Sequence, residues 1–320
     1  MIQHSLAVLL AQRIALGLLL LIASTILIFT GTSILPGDVA QSILGQSATP
    51  EALENLRQGM GLNEPAMTRY FSWVGGILQG DLGTSLTNGT DIAQSIGRRL
   101  GNTLFLAFWA AVISVPLAIL LGIVSVRYQN RWPDKLISAT TLATISVPEF
   151  IIGYFVMFLI AVKLQWVPSV SLINDGMSLA TKLQSIALPI TVLVFVVLAH
   201  MMRMTRAAIL NVMESAYIET AELKGLTGFQ VIIDHALPNA VAPIVNVVML
   251  NLAYLVVGVV VVEVVFVYPG MGQYLVDHVS KRDIPVVQAT GLIFASVYII
   301  LNTAADLIAI LSNPKLKHPK

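Results

Sequence analysis

Six apolar runs recur along almost the whole chain, at Arg13–Leu35, Asn102–Val126, Leu136–Val162, Ile186–Met204, Ala240–Phe266 and Val287–Leu311. Each is close to or above the roughly 20 residues a helix needs to cross a hydrocarbon core. Water is absent there, so a backbone that satisfies its own hydrogen bonds within one segment is the favoured solution. The chain reads as an all-α integral membrane protein with six transmembrane helices. Composition agrees, with 56% hydrophobic and 11% charged residues and a mean hydropathy of +0.83, where soluble domains carry roughly 25% charge. The first run sits where a secretory signal peptide would. Its apolar stretch from Ile14 to Phe29 is longer than a signal core and no A-x-A cleavage site follows, so it is expected to be a retained helix.

The same composition removes several function classes. Cysteine is absent, which excludes disulfides, thiolate nucleophiles and Cys-ligated zinc. A net charge of +1 without a Lys/Arg block gives no reason to expect nucleic acid. No phosphate-cradling G-x-x-x-x-G-K-[ST] loop, zinc-binding H-E-x-x-H pair or G-x-S-x-G elbow is present, so neither ATP hydrolysis nor other catalysis is expected of this chain, and no metal site. Gly270-Met271-Gly272 is only a fragment of a dinucleotide fingerprint, and Asn88-Gly89-Thr90 is a tripeptide that arises often by chance.

Orientation rests on Lys and Arg in short loops. With the N-terminus inside, Arg13, Arg127, Arg131, Lys135, Arg203, Arg206, Lys224, Lys315, Lys317 and Lys320 lie inside, against Lys163, Lys182, Lys281 and Arg282 outside. The long first loop adds Arg57, Arg69, Arg98 and Arg99 to the outer side. The reading is a multi-pass protein with both termini cytoplasmic. It divides into a first helix (1–36), an extracytoplasmic loop region (37–101), a five-helix core (102–312) containing a cytoplasmic loop (205–239), and a cytoplasmic tail (313–320). In the first loop, Thr49-Pro50 starts and Met60-Gly61 stops a short helix, and a second is expected from Pro65 to Gln79.

The loop between the fourth and fifth runs is unusually polar. Asn211 to Leu223 are helix formers with Val212, Ala216, Tyr217 and Leu223 near one another at helical spacing and Glu214, Glu219 and Glu222 elsewhere, so an amphipathic surface helix is expected. Gly225 permits the left-handed backbone that stops it. A second short helix is expected from Thr227 to Ala236, and Pro238 falls where the fifth span begins, a place where its missing N–H costs little.

Glu219-Thr220-Ala221, three residues, Gly225-Leu226, and then His235-Ala236-Leu237-Pro238 resemble the EAA motif of permease subunits of ATP-binding-cassette importers, departing from it at Thr220 and His235. The His235-to-Ala240 run is similar to the dipeptide, oligopeptide and nickel branch. So are Leu35-Pro36-Gly37-Asp38, Gly80-Asp81-Leu82-Gly83-Thr84-Ser85, Ser146-Val147-Pro148-Glu149-Phe150, Val262-Glu263-Val264-Val265-Phe266 and Tyr268-Pro269-Gly270-Met271-Gly272, in the order of that branch's first permease.

The resemblance implies a type I ABC importer permease (MetI-like) fold in a bacterial inner membrane. It implies a second permease subunit, two ATPase subunits that hold the ATP and magnesium, an extracytoplasmic solute-binding protein, and no cofactor bound by this chain. Glu219–Gly225 would be the helix that docks on an ATPase, with Gly225 making the turn, Ala221 allowing close packing and Glu219 offering a carboxylate. Candidates for the translocation path are Ser146, Pro148, Glu149, Asn246 and Asn251, because intramembrane polar groups favour cavities or helix interfaces. Glu149 stands where relatives often carry a small polar residue; it either lines the path or pairs with a neighbouring helix or subunit. Glu263 and Asp306 are candidates for gating or structure. His200 reads as a packing residue, Arg203 as an interface anchor, and Met201, Met202 and Met204 as packing or lipid-facing side chains. The rival classes are an ion-coupled secondary transporter, a membrane-embedded enzyme and an ATP-driven exporter. They would need internal symmetry with paired broken helices, a facing set of polar groups, or longer cytoplasmic helix extensions, none of which is evident.

Overall fold

The computed structural model describes residues 6–34, 39–45 and 48–312. The expected motif at 35–38 and the tail at 313–320 lie outside them. The regular elements of the described residues are helices, beginning with α1 (Leu6–Ile34), α2 (Val39–Leu44), α3 (Pro50–Gly59), α4 (Ala66–Leu78), α5 (Ile92–Arg127), α6 (Trp132–Ser146) and α7 (Glu149–Val156). A π-helical stretch (Met157–Lys163) extends α7. There follow α8 (Leu179–Ser185), α9 (Ala187–Met213), α10 (Ala216–Leu223), α11 (Gly228–Gln230), a second π-helical stretch (Val231–Ala236), α12 (Leu237–Val257), α13 (Val260–Val265), α14 (Met271–Ser280) and α15 (Ile284–Ser312).

Among the described residues five helical stretches are long and apolar enough to cross a membrane: Val8–Ile34, Ile92–Arg127, Ala187–Met213, Gly228–Val265 and Ile284–Ile308. The expected third span is not one helix. It is a broken pair, Trp132–Ser146 and Glu149–Lys163, bent by 104°. The cause is local: a residue before proline is pushed out of the helical region, and Val147 is extended at φ −99°, ψ 128°. The second span starts earlier than expected, at Ile92, because Asp91 accepts a hydrogen bond from the Gln94 N–H at 2.8 Å and caps the helix. At 36 residues and about 1.5 Å per residue, α5 is roughly 54 Å long. Its first turns, with Gln94, Ser95, Arg98 and Arg99, therefore form a polar column beyond the apolar length.

The core lies where α5 packs on α9 and α12 on α15, with α1 along α15. Leu106, Leu193, Val197, Met201, Met202, Leu255, Phe266 and Tyr268 fill its centre. Met201 and Met202 are packing residues as expected, whereas Met204 is exposed. In the first loop, the Thr49 hydroxyl accepts from the Ala52 N–H and caps α3, as its Thr-Pro start indicated.

Two buried carboxylates hold the end of the bundle that carries α14. Glu263, fully buried, accepts from the Thr103 hydroxyl at 2.6 Å and from the Gly272 and Gln273 amides at 2.7 and 3.2 Å. It thus caps α14 and ties it to α5. A Cβ at Gly270 would fall on this carboxylate, which gives the Tyr268-to-Gly272 run its reason: glycine lets the backbone pass over Glu263. Tyr268 donates to the Asn102 carbonyl at 2.7 Å, and burial pushes its phenol pKa up, keeping it a donor. Asp283, also fully buried, accepts from the Ser85 and Thr87 hydroxyls and from the Leu86 and Thr87 amides, closing the loop after Gly80-Asp81-Leu82-Gly83. Glu263→Ala should strand three donors and lower stability by on the order of 3 kcal/mol. An unchanged melting temperature of the purified complex would refute that reading of the network.

Candidate functional site

The loop expected to dock a partner is built at the opposite end of the bundle. Helix α9 runs on to Met213, breaks at Glu214–Ser215, and α10 follows. The buried face of α10 is Ile218 and Ala221, which join Val126, Ile209, Val231, Ile232, Ala236, Ala240 and Ile244 in a small apolar cluster. This corrects the expected apolar face, since Tyr217 and Leu223 point outward and Leu223 is 82% exposed. The close packing at Ala221 is internal to the chain. The expected group does not form one face, because the break at Glu214–Ser215 separates Val212, which packs on the cluster, from the outward Tyr217 and Leu223.

Glu219, Thr220, Glu222 and Lys224 are exposed beside Leu223, and the Thr220 hydroxyl returns to the Ala216 carbonyl at 3.1 Å. Gly225 follows with φ +86° and open space where a Cβ would stand. Leu226 turns back onto the cluster. Thr227 and Gln230 form a reciprocal capping box. The expected second helix, Thr227–Ala236, is instead continuous with the fifth span through the π-helical Val231–Ala236 stretch. Pro238 explains the wider turn, because it has no N–H for the Asp234 carbonyl and its ring crowds that group. The His235 carbonyl accepts from the Asn239 side chain at 2.7 Å, and Leu237 packs on the same cluster.

Behind this loop lies a clamp not anticipated from sequence. Arg206 donates through Nε and Nη2 to the two Asp134 carboxylate oxygens, each at 3.0 Å. Asp134, nearly fully buried, also accepts from the Ser125 hydroxyl and from the Asn130 amide at 2.9 Å. The end of α5, the start of α6 and the last turns of α9 are thereby locked together. In the sequence Arg206 stands only as a loop charge. The available signal was an Asp at the head of an apolar run, which costs too much to leave unpaired.

The path candidates fall into two groups. Pro148 breaks α6 from α7, and Glu149 begins α7, half-buried, with the Tyr254 hydroxyl 3.4 Å away. On α12, Asn246, Leu250 and Tyr254 repeat at four-residue spacing and so share one face, with Leu250 and Tyr254 exposed. Asn251 lies off this stripe and donates to its own helix at the Val247 carbonyl. Ser146 is exposed and bonds back to the Leu142 carbonyl. Asp306 pairs with Arg13 at 2.8 Å, linking α15 to α1, and Glu263 caps α14 as described. His200 and Arg203 are both exposed. Among the described residues no cluster of three or more His, Asp or Glu could hold a metal.

Residues 114–318 match the family described as the binding-protein-dependent transport system inner membrane component, and residues 6–107 match the N-terminal region of such membrane components. The glutathione transport system permease protein GsiC of Escherichia coli (strain K12) is 34% identical over 294 residues, 92% of this chain and 94% of that one. The protein of the same name from Shigella flexneri serotype 5b (strain 8401) is likewise 34% identical over 294 residues. A chain of the methionine ABC transporter MetNI, solved in inward-facing conformations, shares 19% identity and a TM-score of 0.49, covering 69% of this chain and 96% of that chain. The chain belongs to the binding-protein-dependent transport system inner membrane component family: it is a transport permease of an ATP-binding-cassette importer and not an enzyme.

Proposed function

We propose that this permease imports peptides or a comparably polar small solute across a bacterial inner membrane, with both termini cytoplasmic. It would act with a second permease chain, two ATPase subunits that bind the ATP and magnesium, and an extracytoplasmic solute-binding protein. The observation that carries the reading is the projection formed by α10 and Gly225. An apolar Leu223 at 82% exposure beside Glu219 and Glu222, closed by a left-handed glycine with nothing against it, fits a partner's groove. The E. coli relative's name, a glutathione permease, supports peptide-like cargo.

In this reading α10 receives ATPase movement and passes it through α9 and the Arg206–Asp134 clamp to the broken α6–α7 pair. Glu149, Tyr254 and Asn246 would line the path, and lipid would cover the remaining apolar surface. Affinity purification of the tagged chain tests the assembly. Co-purified ATPases and a second permease, with ATP hydrolysis stimulated by loaded binding protein, are expected; a lone chain active in ion-driven flux would overturn the reading. Glu149→Gln should lower uptake of a lysine-containing peptide about tenfold more than that of a neutral one, a difference of roughly 1.4 kcal/mol. Equal effects on both would assign Glu149 to packing against Tyr254.

A further inference from the structure

A cavity of about 530 Å³ opens at the end of the bundle opposite α10, between the polar head of α5, the 88–90 turn and α14. This is extracytoplasmic in the arrangement proposed above. Its volume lies within the range of small-ligand sites. Three cations line it, Arg98, Arg99 and Lys281, against one carboxylate, Asp277. Arg99 is held in place: its guanidinium sits 5.0 Å from the centre of the Tyr274 ring, and Tyr274 is itself only 4% exposed. A guanidinium fixed over an aromatic face keeps its donors available for a carboxylate.

His278 adds the second requirement. It lines the cavity, is 5% exposed, and its Nδ1 lies 2.9 Å from the Tyr274 carbonyl. A carbonyl only accepts, so Nδ1 carries the hydrogen, and with one hydrogen on the ring Nε2 is the acceptor. That Nε2 is buried and has no hydrogen-bond partner among the described residues, a state that an occupant can relieve. A simple anion would satisfy the guanidinium groups and leave the Nε2 and Asp277 acceptors unused. A cation would meet three like charges. The complementary solute carries a carboxylate together with an N–H or ammonium donor.

We propose that this cavity is an outer subsite for a small zwitterion of amino-acid or peptide type, its carboxylate on Arg98 and Arg99 and its nitrogen donors toward His278 and Asp277. It rests on the peptide-import reading and adds where the cargo is first held by the permease. An acidic side chain of the binding protein is the rival occupant; it would use the cations but fill little of the volume and leave His278 unanswered.

The test is binding of dialanine to the assembled complex in nanodiscs, without binding protein, measured by calorimetry. Dialanine should bind at least tenfold more tightly than dialanine amide or acetate. Arg98→Gln and Arg99→Gln should each weaken it about tenfold while the complex still assembles and melts as before. Equal affinity for dialanine, acetate and inorganic phosphate would overturn the zwitterion assignment. Arginine variants that weaken docking of the binding protein but leave dialanine affinity intact would give the cavity to that protein's side chain instead. A complex with binding-protein-stimulated ATP hydrolysis but no dialanine binding would sink the subsite alone, whereas loss of stimulation in the unmodified complex would sink the import reading itself.

Discussion

Gly225→Val is expected to reduce binding-protein-stimulated ATP hydrolysis and uptake by at least tenfold while the protein still inserts and folds. Gly225 adopts φ +86°, a region in which a Cβ costs roughly 1–2 kcal/mol, and more for a β-branched side chain. A Cβ there meets no atom within 4 Å of this chain, so the harm within the subunit is backbone strain and not collision. The strain falls on the turn after α10, where the Gly225 and Leu226 amides close onto the Glu222 and Ala221 carbonyls. Relief by unwinding that turn would swing Leu223, Glu219 and Glu222 off their common face. Where a groove receives the turn, the added methyls would also occupy the space left open beside Gly225. Gly225→Ala should show a smaller defect of the same kind. The measurement is ATPase rate with and without loaded binding protein, beside the melting temperature of the complex. Normal stimulation by a well-assembled Gly225→Val complex would remove the docking role from this turn.

Arg206→Ala is expected to destabilise the subunit by about 3–5 kcal/mol, because it leaves a buried carboxylate without its cation. Asp134 keeps the Ser125 and Ser138 hydroxyls and the Asn130 amide, neutral donors that do not replace a bidentate guanidinium. Arg206→Lys keeps the charge and loses the fork, so an intermediate loss is expected. Stability alone would not distinguish a strut from a transmission element. The double variant Asp134→Leu with Arg206→Met replaces the pair by apolar groups of similar size and should regain most of the lost stability. Uptake per ATP hydrolysed should nevertheless stay low in it, because the rigid ionic link from α9 to α6 is gone. Full recovery of coupling with the double variant would reduce the clamp to packing.

The two readings of Glu149 illustrate why part of the site escaped the sequence. Its neighbour Pro148 was legible as a helix disturbance, since the cost of an X-Pro step is local. The size of the disturbance was not, because 104° depends on what α7 packs against, namely α13 and α9. Tyr254 as the contact of Glu149 lies 105 residues away, a separation that no spacing rule spans. The same holds for Thr103 with Glu263 and for Ser85 with Asp283, pairs 160 and 198 residues apart. In the α10 loop, the glycine turn and the Thr227 cap were legible as local backbone chemistry. The outward orientation of Leu223 is not legible in the sequence, because hydrophobicity alone does not say whether an apolar side chain faces its own core or a partner.

The membrane-spanning class, five of the six spans to within a few turns, the position of the turn at Gly225, and the family are all legible in the residue order. The first three follow from contributions that act within one segment, namely transfer of apolar residues into hydrocarbon, the missing Cβ of glycine and the missing N–H of proline, whereas the family rests on the resemblance of the motifs. Long-range packing, by contrast, sets Glu263 as the cap of α14, locks three helices through Asp134 and Arg206, breaks the third span into a pair, and lines an arginine-rich cavity with His278, whose Nε2 has no partner among the described residues. A buried polar group is stable only when distant segments bring it partners, so the choice of partner belongs to the packed bundle.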